Sequence, residues 1–183
     1  TCPWEIAPKP DKKFHQVVVI PAYGEAELLP HTLTSLDKND ALILKDTLVV
    51  VVINNAVHSV ESILKNNQTT LNNLKSAQYN YTLGVVDATS SGFELPDKQA
   101  GVGLARKIGM DLSLPHLSSP ESLIFCTDAD TIVSKNYIEK VLTYFDTNRV
   151  QAAVVGFRHL ESNDKKQEEE IRQYELYLLT TAE

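Results

Sequence analysis

Five short runs of aliphatic, mostly β-branched residues recur along this sequence. Within each run the apolar residues occupy nearly all positions, so both faces of a strand built from it would be apolar. Strands that are buried on both faces are typical of parallel sheets covered by helices. We therefore predict strands at 16–21, 47–53, 81–86, 122–127 and 150–157.

Between these runs the apolar residues change to the three- and four-residue spacing of amphipathic helices. Leu29, Leu33 and Leu36 follow this spacing after the first run, which predicts a helix there. Ser134 is well placed to cap a helix that starts at Lys135. Further helices are predicted near 57–66, at 99–113, at 135–145 and within 163–179. Strands that alternate with helices indicate an α/β fold, a mostly parallel sheet with helices on both faces.

The length of the chain sets the number of domains. A chain of 183 residues, 43% of them hydrophobic, is long enough for one core and too short for two ordinary domains. We expect a single domain over 1–183, with an irregular, proline-rich lead-in over 1–15. The last helix has an apolar face and no stop signal before Glu183. We therefore expect a domain that is truncated at its C-terminal end and a helix face that offers a surface to a partner.

Charge and cysteine content exclude several classes of protein. The net charge of −7 and the pI near 5.2 give no basic surface for nucleic acid. Two cysteines cannot build a disulfide framework or a cysteine-rich metal site, which favours a cytoplasmic location. No apolar run approaches the roughly 20 residues of a transmembrane helix, so no transmembrane segment is predicted.

Polar, turn-forming residues follow four of the predicted strands at the point where each strand ends. Any one of these segments could be an ordinary turn, since Asn, Asp, Ser, Gly and Pro favour turns. In an open α/β sheet, however, ligands bind beyond the carboxyl ends of the strands, and all four segments lie there. We therefore expect a ligand site at this edge of the sheet. The segments are PAYGE at 21–25, NNA at 54–56, DATSSG at 87–92 and TDADT at 127–131.

Asp128 and Asp130 follow the fourth strand with one residue between them. On an extended backbone both carboxylates point to the same side, so they repel each other unless a cation or hydrogen-bond donors lie between them. Mg²⁺ and Mn²⁺ prefer carboxylate oxygens and substrate phosphates, and they need only one or two protein acids. The pair therefore predicts a divalent cation and a substrate that carries a diphosphate.

Four segments keep a fixed order along the chain within residues 16–160: VVVIPAYGE, LVVVVINNA, GVGLARKIGMD and LIFCTDADT. In this order and at these separations they resemble the nucleotide-sugar-binding half of GT-A-fold glycosyltransferases, in particular those of family 2. The resemblance implies a Rossmann-like GT-A fold and the transfer of a sugar from a UDP- or GDP-sugar to an acceptor that the sequence does not name. It also implies Mg²⁺ or Mn²⁺ as the cofactor.

The resemblance further implies roles for individual residues. The stretch from Pro21 to Glu25 would lie against the nucleoside, with Tyr23 as its aromatic wall. The residues placed around the nucleotide sugar are Pro21, Ala22, Tyr23, Glu25, Asn54, Asn55, Lys98, Arg106, Asp128 and Ala129, and the metal ligands are Asp130 and Asp128.

Two features depart from the family pattern. Family members usually have an acid at the end of the second strand, where this chain has Asn54 and Asn55, so the identity of the base stays open. An inverting transferase also needs a carboxylate base for the acceptor hydroxyl. In the family this base follows the paired aspartates at a distance, so we expect it beyond Glu183.

Two alternatives stay open at this point. The 183 residues could bind a nucleotide sugar without turnover, because the base is missing. DADTIV after an apolar strand also resembles the motif of haloacid-dehalogenase-type phosphatases, in which the first Asp attacks phosphorus and the second is the acid. That motif normally lies on the first strand, whereas here it follows the fourth.

Overall fold

The computed structural model describes residues 3–181, apart from the side chains of Leu179 and Thr181. It divides into two compact units, Thr1–Thr147 and Asn148–Glu183. The described part of the first unit contains strands β1 (Gln16–Ala22), β2 (Thr47–Asn54), β3 (Thr82–Ala88) and β4 (Leu123–Cys126). Its helices are α1 (Leu29–Leu36), α2 (Ala41–Lys45), α3 (Glu61–Lys75), α4 (Val102–Ser113) and α5 (Tyr137–Asn148). Helix α5 ends at the first residue of the second unit. The second unit contains helix α6 (Lys165–Thr181).

The four strands form one parallel sheet in the order β3-β2-β1-β4. Every residue of β1 and β2 is buried, as expected for the two central strands of a sheet that is covered on both faces. The sheet therefore confirms the predicted parallel fold for these four strands. The chain order reverses at β1, whose neighbours are β2 and β4, so a crevice is expected beyond the carboxyl ends of β1 and β4.

Helices cover both faces of the sheet, as predicted. On one face α1, α3 and α5 contribute Leu33, Leu71 and Ile138 to a core that includes Val49 and Val51. On the other face α4 packs together with the N-terminal segment. The core on this face contains Ile6, Phe14, Val17, Val19, Val50, Val52, Ala105 and Ile108. The two cores share the central strands, because alternate residues of each strand face opposite sides.

Helix α4 lies unusually close to the sheet at Gly109. A Cβ atom added at this position would overlap the side chain of Val19 and lie 2.9 Å from Cγ2 of Val52. Only a residue without a side chain permits this approach. The close contact fixes the height of α4 above β1 and β2.

The predicted fifth strand at 150–157 is wrong. In the described part of the second unit these residues form no strand, and the side chains of Val154 and Phe157 are 98% and 68% exposed. β-Branched composition favours a strand only where an adjacent strand supplies hydrogen bonds and packing. Residues 150–157 therefore lack a strand although their composition favours one, because a strand also needs pairing with an adjacent strand.

Helix α5 begins at Tyr137, two residues later than predicted, and Ser134 does not cap it. The Ser134 hydroxyl donates to Oδ1 of Asn136 at 3.0 Å. The N–H of Ile138 donates instead to Oδ1 of Asn39, a residue that follows α1, at 3.0 Å. Capping by a residue 99 positions away cannot be read from the local sequence.

The short helix α2 was not predicted. Asp40 caps it by accepting hydrogen bonds from the N–H groups of Leu42 and Ile43. An aspartate before a short apolar stretch is a recognisable N-cap signal.

An ion-pair network organises the second unit. Arg172 on α6 donates from Nε to Glu168 at 2.6 Å and from Nη1 to Glu175 at 2.5 Å. Glu175 also accepts from the backbone N–H of His159 at 2.6 Å, and Glu168 accepts from the N–H of Ser162 at 2.9 Å. These contacts hold the segment around 159–162 against its own helix.

Within residues 3–181, none of the helices combines the length and the apolar character that crossing a bilayer requires.

Gly109→Ala should destabilise the protein, because overpacking a core costs about 1–3 kcal/mol, more than the roughly 1 kcal/mol that alanine gains in a helix. Gly103→Ala on the same helix is the matched control, since nothing lies within 4 Å of a Cβ added there. Urea denaturation of both variants measures the difference. A Gly109→Ala protein as stable as the parent would contradict the close approach of α4.

Acid should loosen the segment around 159–162. The hydrogen bond from Arg172 and that from the His159 backbone lower the pKa of Glu175 from 4.5 to about 2. A lowered folded-state pKa stabilises the fold above the ordinary value, and this contribution is lost as the pH falls from 4.5 towards 2. Hydrogen exchange of the His159 amide, corrected for its intrinsic rate, should accelerate across this window.

The matched variants for this experiment lie on the same helix. Glu175→Gln should show fast exchange already at neutral pH, whereas Glu170→Gln, on the exposed side of α6, should behave like the parent. Exchange of the His159 amide that stays constant through the window would contradict the role of Glu175.

Candidate functional site

A cleft of about 630 Å³ opens at the carboxyl ends of the strands. It is bounded by the loops after β1, β2 and β4 and by the start of α4. The residues that line it are Pro21, Tyr23, Glu25, Asn54, Ala56, Ser59, Asp97, Ala100, Gly101, Val102, Arg106, Asp128, Ala129 and Asp130. The topology places this cleft at the reversal of strand order, where ligands of open α/β sheets bind.

Most of the residues predicted from the sequence meet in this cleft. Those that line it are Pro21, Tyr23, Glu25, Asn54, Arg106, Asp128, Ala129 and Asp130. Ala22 and Asn55 are each 1% exposed and do not line the cleft, and Lys98 is exposed outside its lining. The roles of these residues in binding stay predictions.

The loop after β1 is held by α3. Gly24 has φ of 72°, and a Cβ added there would lie 2.7 Å from Cδ1 of Ile63. Its N–H donates to Oδ1 of Asn67 at 3.0 Å, and the N–H of Ala26 donates to Oδ1 of Asn66 at 2.9 Å. These contacts fix the backbone on both sides of Glu25. Tyr23 remains 48% exposed beside the cleft.

The side chain of Asn67 is fully buried and connects three strand ends. Its Nδ2 donates to the backbone oxygen of Asn54 at 3.0 Å and lies 3.1 Å from Oδ1 of Asn55 and 3.2 Å from Oγ1 of Thr89. The Thr89 hydroxyl donates to the same Asn55 oxygen. Asn55 and Thr89 therefore act inside the fold, and the predicted DATSSG segment supports the cleft without lining it.

A row of polar residues on and after α1 holds the loop that carries the paired aspartates. Oγ1 of Thr32 donates to the backbone oxygen of Ala129 at 2.6 Å, and Oγ of Ser35 accepts from the N–H of Val133 at 3.0 Å. Both side chains are almost completely buried. In the sequence, this row could have been recognised as small polar residues on the face of α1 that packs against the core, where apolar residues are expected.

The two aspartates have different partners. Asp128 forms an ion pair with Arg106 on α4. Asp130 lies near Glu25, whose pKa is raised mainly by burial and also by the charge of Asp130. Within the described part of the chain, Asp130 makes no side-chain hydrogen bond or ion pair. The sequence predicted repulsion between Asp128 and Asp130 on an extended backbone, whereas residues 129–130 form a turn, Asp128 pairs with Arg106 and the acidic neighbour of Asp130 is Glu25.

The start of α4 provides positive potential. Gly101 and Val102, at the first turn of this helix, line the cleft, and Arg106 lies one turn further along. The first N–H groups of a helix have no intrahelical partner and attract anions. Nε of Arg106 is also buried without a hydrogen-bond partner among the described residues. This end of the cleft suits an anion such as a diphosphate.

The oxygen ligands in the cleft fit a hard divalent cation only in part. Among residues 3–181 no group of three or more His, Cys, Asp or Glu side chains is arranged to hold a metal. Asp130 and Glu25, however, are neighbouring carboxylates that repel each other, and a cation would relieve this repulsion. Mg²⁺ and Mn²⁺ commonly complete their coordination with substrate phosphates and water. The residues therefore fit a cation that binds together with a phosphate.

A second cavity, of about 790 Å³, lies beside β3 and the N-terminal segment. Its walls are mainly apolar and aromatic and include Trp4, Tyr79, Tyr81 and Phe93. It lies away from the aspartate loop and the start of α4. The smaller cleft is the better candidate because it gathers most of the predicted site residues, among them Arg106, Asp128 and Asp130.

Comparison with known proteins gives one family. The model for "Glycosyl transferase family 2" matches residues 17–181. No curated protein matches the chain.

Several solved structures are similar in part. The structure of S. aureus TarS 1-349 has 18% sequence identity and a TM-score of 0.44, over 80% of this chain and 40% of that one. A complex of the same protein with UDP-GlcNAc has 16% identity and a TM-score of 0.44, over 80% of this chain and 38% of that one. The mannosyltransferase PcManGT from Pyrobaculum calidifontis, in complex with GDP-Man and Mn²⁺, has 18% identity and a TM-score of 0.46, over 87% of this chain and 39% of that one. The chain thus spans about 40% of the length of the first of these structures.

Asn67→Ala should weaken the fold and loosen the loop after β1. The substitution leaves the N–H of Gly24 and the buried acceptors without their partner, and each unsatisfied buried group costs about 1–3 kcal/mol. Asn73→Ala is the matched control, because Asn73 lies on the exposed side of the same helix. Urea denaturation and hydrogen exchange at Gly24 measure the effect. Equal stability of the two variants would remove Asn67 as the connection between strand ends.

Proposed function

The chain belongs to glycosyl transferase family 2, and from this premise we propose that it binds a UDP- or GDP-linked sugar in the cleft and transfers the sugar to an acceptor. The observation that carries the proposal is the composition of the cleft. One wall presents an exposed tyrosine, another presents a helix N-terminus with an arginine, and a third presents two aspartates. A nucleoside diphosphate sugar needs these three kinds of contact.

The donor would lie along the cleft from Tyr23 to the aspartates. The ring of Tyr23 offers an apolar face to the base, since aromatic side chains stack on flat rings. The N–H groups at the start of α4 and the guanidinium of Arg106 would face the diphosphate. Arg106 can leave Asp128 for a phosphate, because both partners of this ion pair are partly exposed.

Asp130, together with Asp128, would hold Mg²⁺ or Mn²⁺ against the diphosphate. The bound cation would neutralise the negative charge that develops on the leaving diphosphate. Glu25 lies beside Asp130 and adds to the negative potential that attracts the cation. The residues of the chain would thus bind and orient the donor around this charge.

The carboxylates of the cleft leave no obvious base for an acceptor hydroxyl. Asp128 is paired with Arg106 and Asp97 with His58, while Glu25 and Asp130 are neighbours. We therefore propose that the base of an inverting transfer comes from chain beyond Glu183. On this proposal the 183 residues alone would bind the donor without turnover, and an assay of sugar transfer tests this. The family match favours transfer over the phosphatase alternative. The cytoplasmic location stays a prediction.

Donor binding should depend on a divalent cation. Without it the carboxylates and the phosphates repel each other, so Asp130→Asn should remove most of the dependence on Mn²⁺. Tyr23→Ala should weaken binding by a similar factor with and without Mn²⁺, since stacking involves no cation. Titration calorimetry with UDP and GDP, with Mn²⁺ or with EDTA, separates the two effects.

Asp146→Asn is the control for this experiment, because Asp146 is an exposed residue of α5 outside the cleft lining. It should bind like the parent. Nucleotide binding by the parent that EDTA leaves unchanged would remove the cation from the proposal. Full Mn²⁺ dependence in Asp130→Asn would make Asp130 a residue of the turn only.

A further inference from the structure

The asparagines at the end of β2 are engaged inside the fold. Nδ2 of Asn54 donates to the backbone oxygens of Ala22 at 3.1 Å and Val52 at 3.4 Å. Nδ2 of Asn55 donates to the backbone oxygen of Ala56, and its Oδ1 accepts from Asn67 and Thr89. Asn54 lines the cleft but is only 3% exposed, and Asn55 does not line it, so a more exposed polar side chain is better placed to contact a base.

Asp97 is a charged residue of the cleft that the sequence did not single out. The loop that carries it is fixed two residues earlier by Leu95, which is fully buried. The N–H of Leu95 donates to the backbone oxygen of Asn55 at 2.9 Å, and Leu95 forms a parallel bridge with Ala56. These contacts hold Asp97 beside the loop after β2, where Ala56 and Ser59 also line the cleft.

His58 orients the Asp97 carboxylate. Nδ1 of His58 lies 2.6 Å from Oδ2 of Asp97, and the backbone N–H of His58 donates to Oδ1 at 3.3 Å. The hydrogen bonds from the His58 side chain and then from its backbone lower the pKa of Asp97. The carboxylate is therefore ionised and can only accept hydrogen bonds, and each oxygen retains room for one more donor.

The charges at the other end of the cleft are engaged separately. Arg106 pairs with Asp128, and Asp130 neighbours Glu25. Among the described residues, Asp97 forms no ion pair with any of these four; its partner is His58, and it shares the cleft lining with Ala56, Ser59 and Ala100.

We propose that Asp97 determines which nucleobase the cleft accepts, by receiving a hydrogen bond from the ring N–H of uracil or guanine. The proposal rests on the proposed function, since it assumes a nucleoside diphosphate in this cleft. Uracil carries N3–H and guanine carries N1–H on the edge used for base pairing. Cytosine and adenine present a ring nitrogen lone pair at the equivalent position, which a carboxylate repels. A site built around a buried or fixed hydrogen-bond partner rejects a ligand that cannot complete the bond.

Binding of four nucleotides tests the proposal. Titration calorimetry of the parent with UDP, GDP, CDP and ADP in Mn²⁺ should show UDP or GDP bound about tenfold or more tightly than CDP and ADP, the effect of one hydrogen bond to a charged group. The tighter of UDP and GDP identifies the base as uracil or guanine. Asp97→Ala should reduce the preference over CDP and ADP to nearly onefold.

Two further variants make the result specific. Asp146→Ala is the control, because Asp146 is an exposed carboxylate of α5 outside the cleft lining, and it should keep the parent's preference. Asp97→Asn keeps the size of the side chain and adds an N–H donor, so it should shift the preference towards CDP and ADP. This variant also answers the question if Asp97→Ala fails to fold.

The outcomes separate the two proposals. A parent that binds none of the four nucleotides overturns both the proposed function and this inference. A parent that binds all four equally overturns the role of Asp97 and leaves the proposed function in place. An unchanged preference in Asp97→Asn or Asp97→Ala overturns it as well.

Discussion

The buried amide of Asn67 is the interaction on which the candidate site depends. It lies on α3, accepts from the N–H of Gly24 after β1, and donates to the ends of β2 and β3. Parallel strands bring their carboxyl ends to one edge, yet the loops beyond that edge lie outside the strand ladder, apart from the single bridge between Ala56 and Leu95. A side chain that is fully buried and uses both its donor and its acceptor groups supplies the missing connection.

Buried polar side chains also hold the loop with the paired aspartates, in this case from α1 and the residues that follow it. Thr32 and Ser35 on α1 bond to the backbone around this loop, and Asn39 caps the helix that follows it. The backbone is thereby satisfied without using the aspartates themselves. Asp128 and Asp130 remain available for a ligand, because fixed loops that expose charged side chains are where binding residues collect.

Two acids of the cleft have partners and two do not. Arg106 forms an ion pair with Asp128 and the His58 ring lies within hydrogen-bond distance of Asp97, whereas Asp130 and Glu25 are acidic neighbours. The close packing of α4 at Gly109 sets the position of Arg106 and of the helix N-terminus relative to these acids. A ligand with negative phosphates and a cation would complete the charge balance of the cleft.

Four strands of the sheet and the edge at which the candidate cleft lies could be predicted from the sequence. Continuous apolar runs are a local pattern and indicate strands buried on both faces. Once such strands pair in parallel, their carboxyl ends lie at one edge, so the polar residues after β1, β2 and β4 meet there. The remaining features of the cleft became apparent only in the folded structure. It placed Asn55 in a buried network, left Lys98 outside the cleft, left 150–157 without a strand and brought Asp97 into the lining. The positions of Asn55 and Asp97 depend on hydrogen-bond partners from distant parts of the chain, about which a local pattern carries no information.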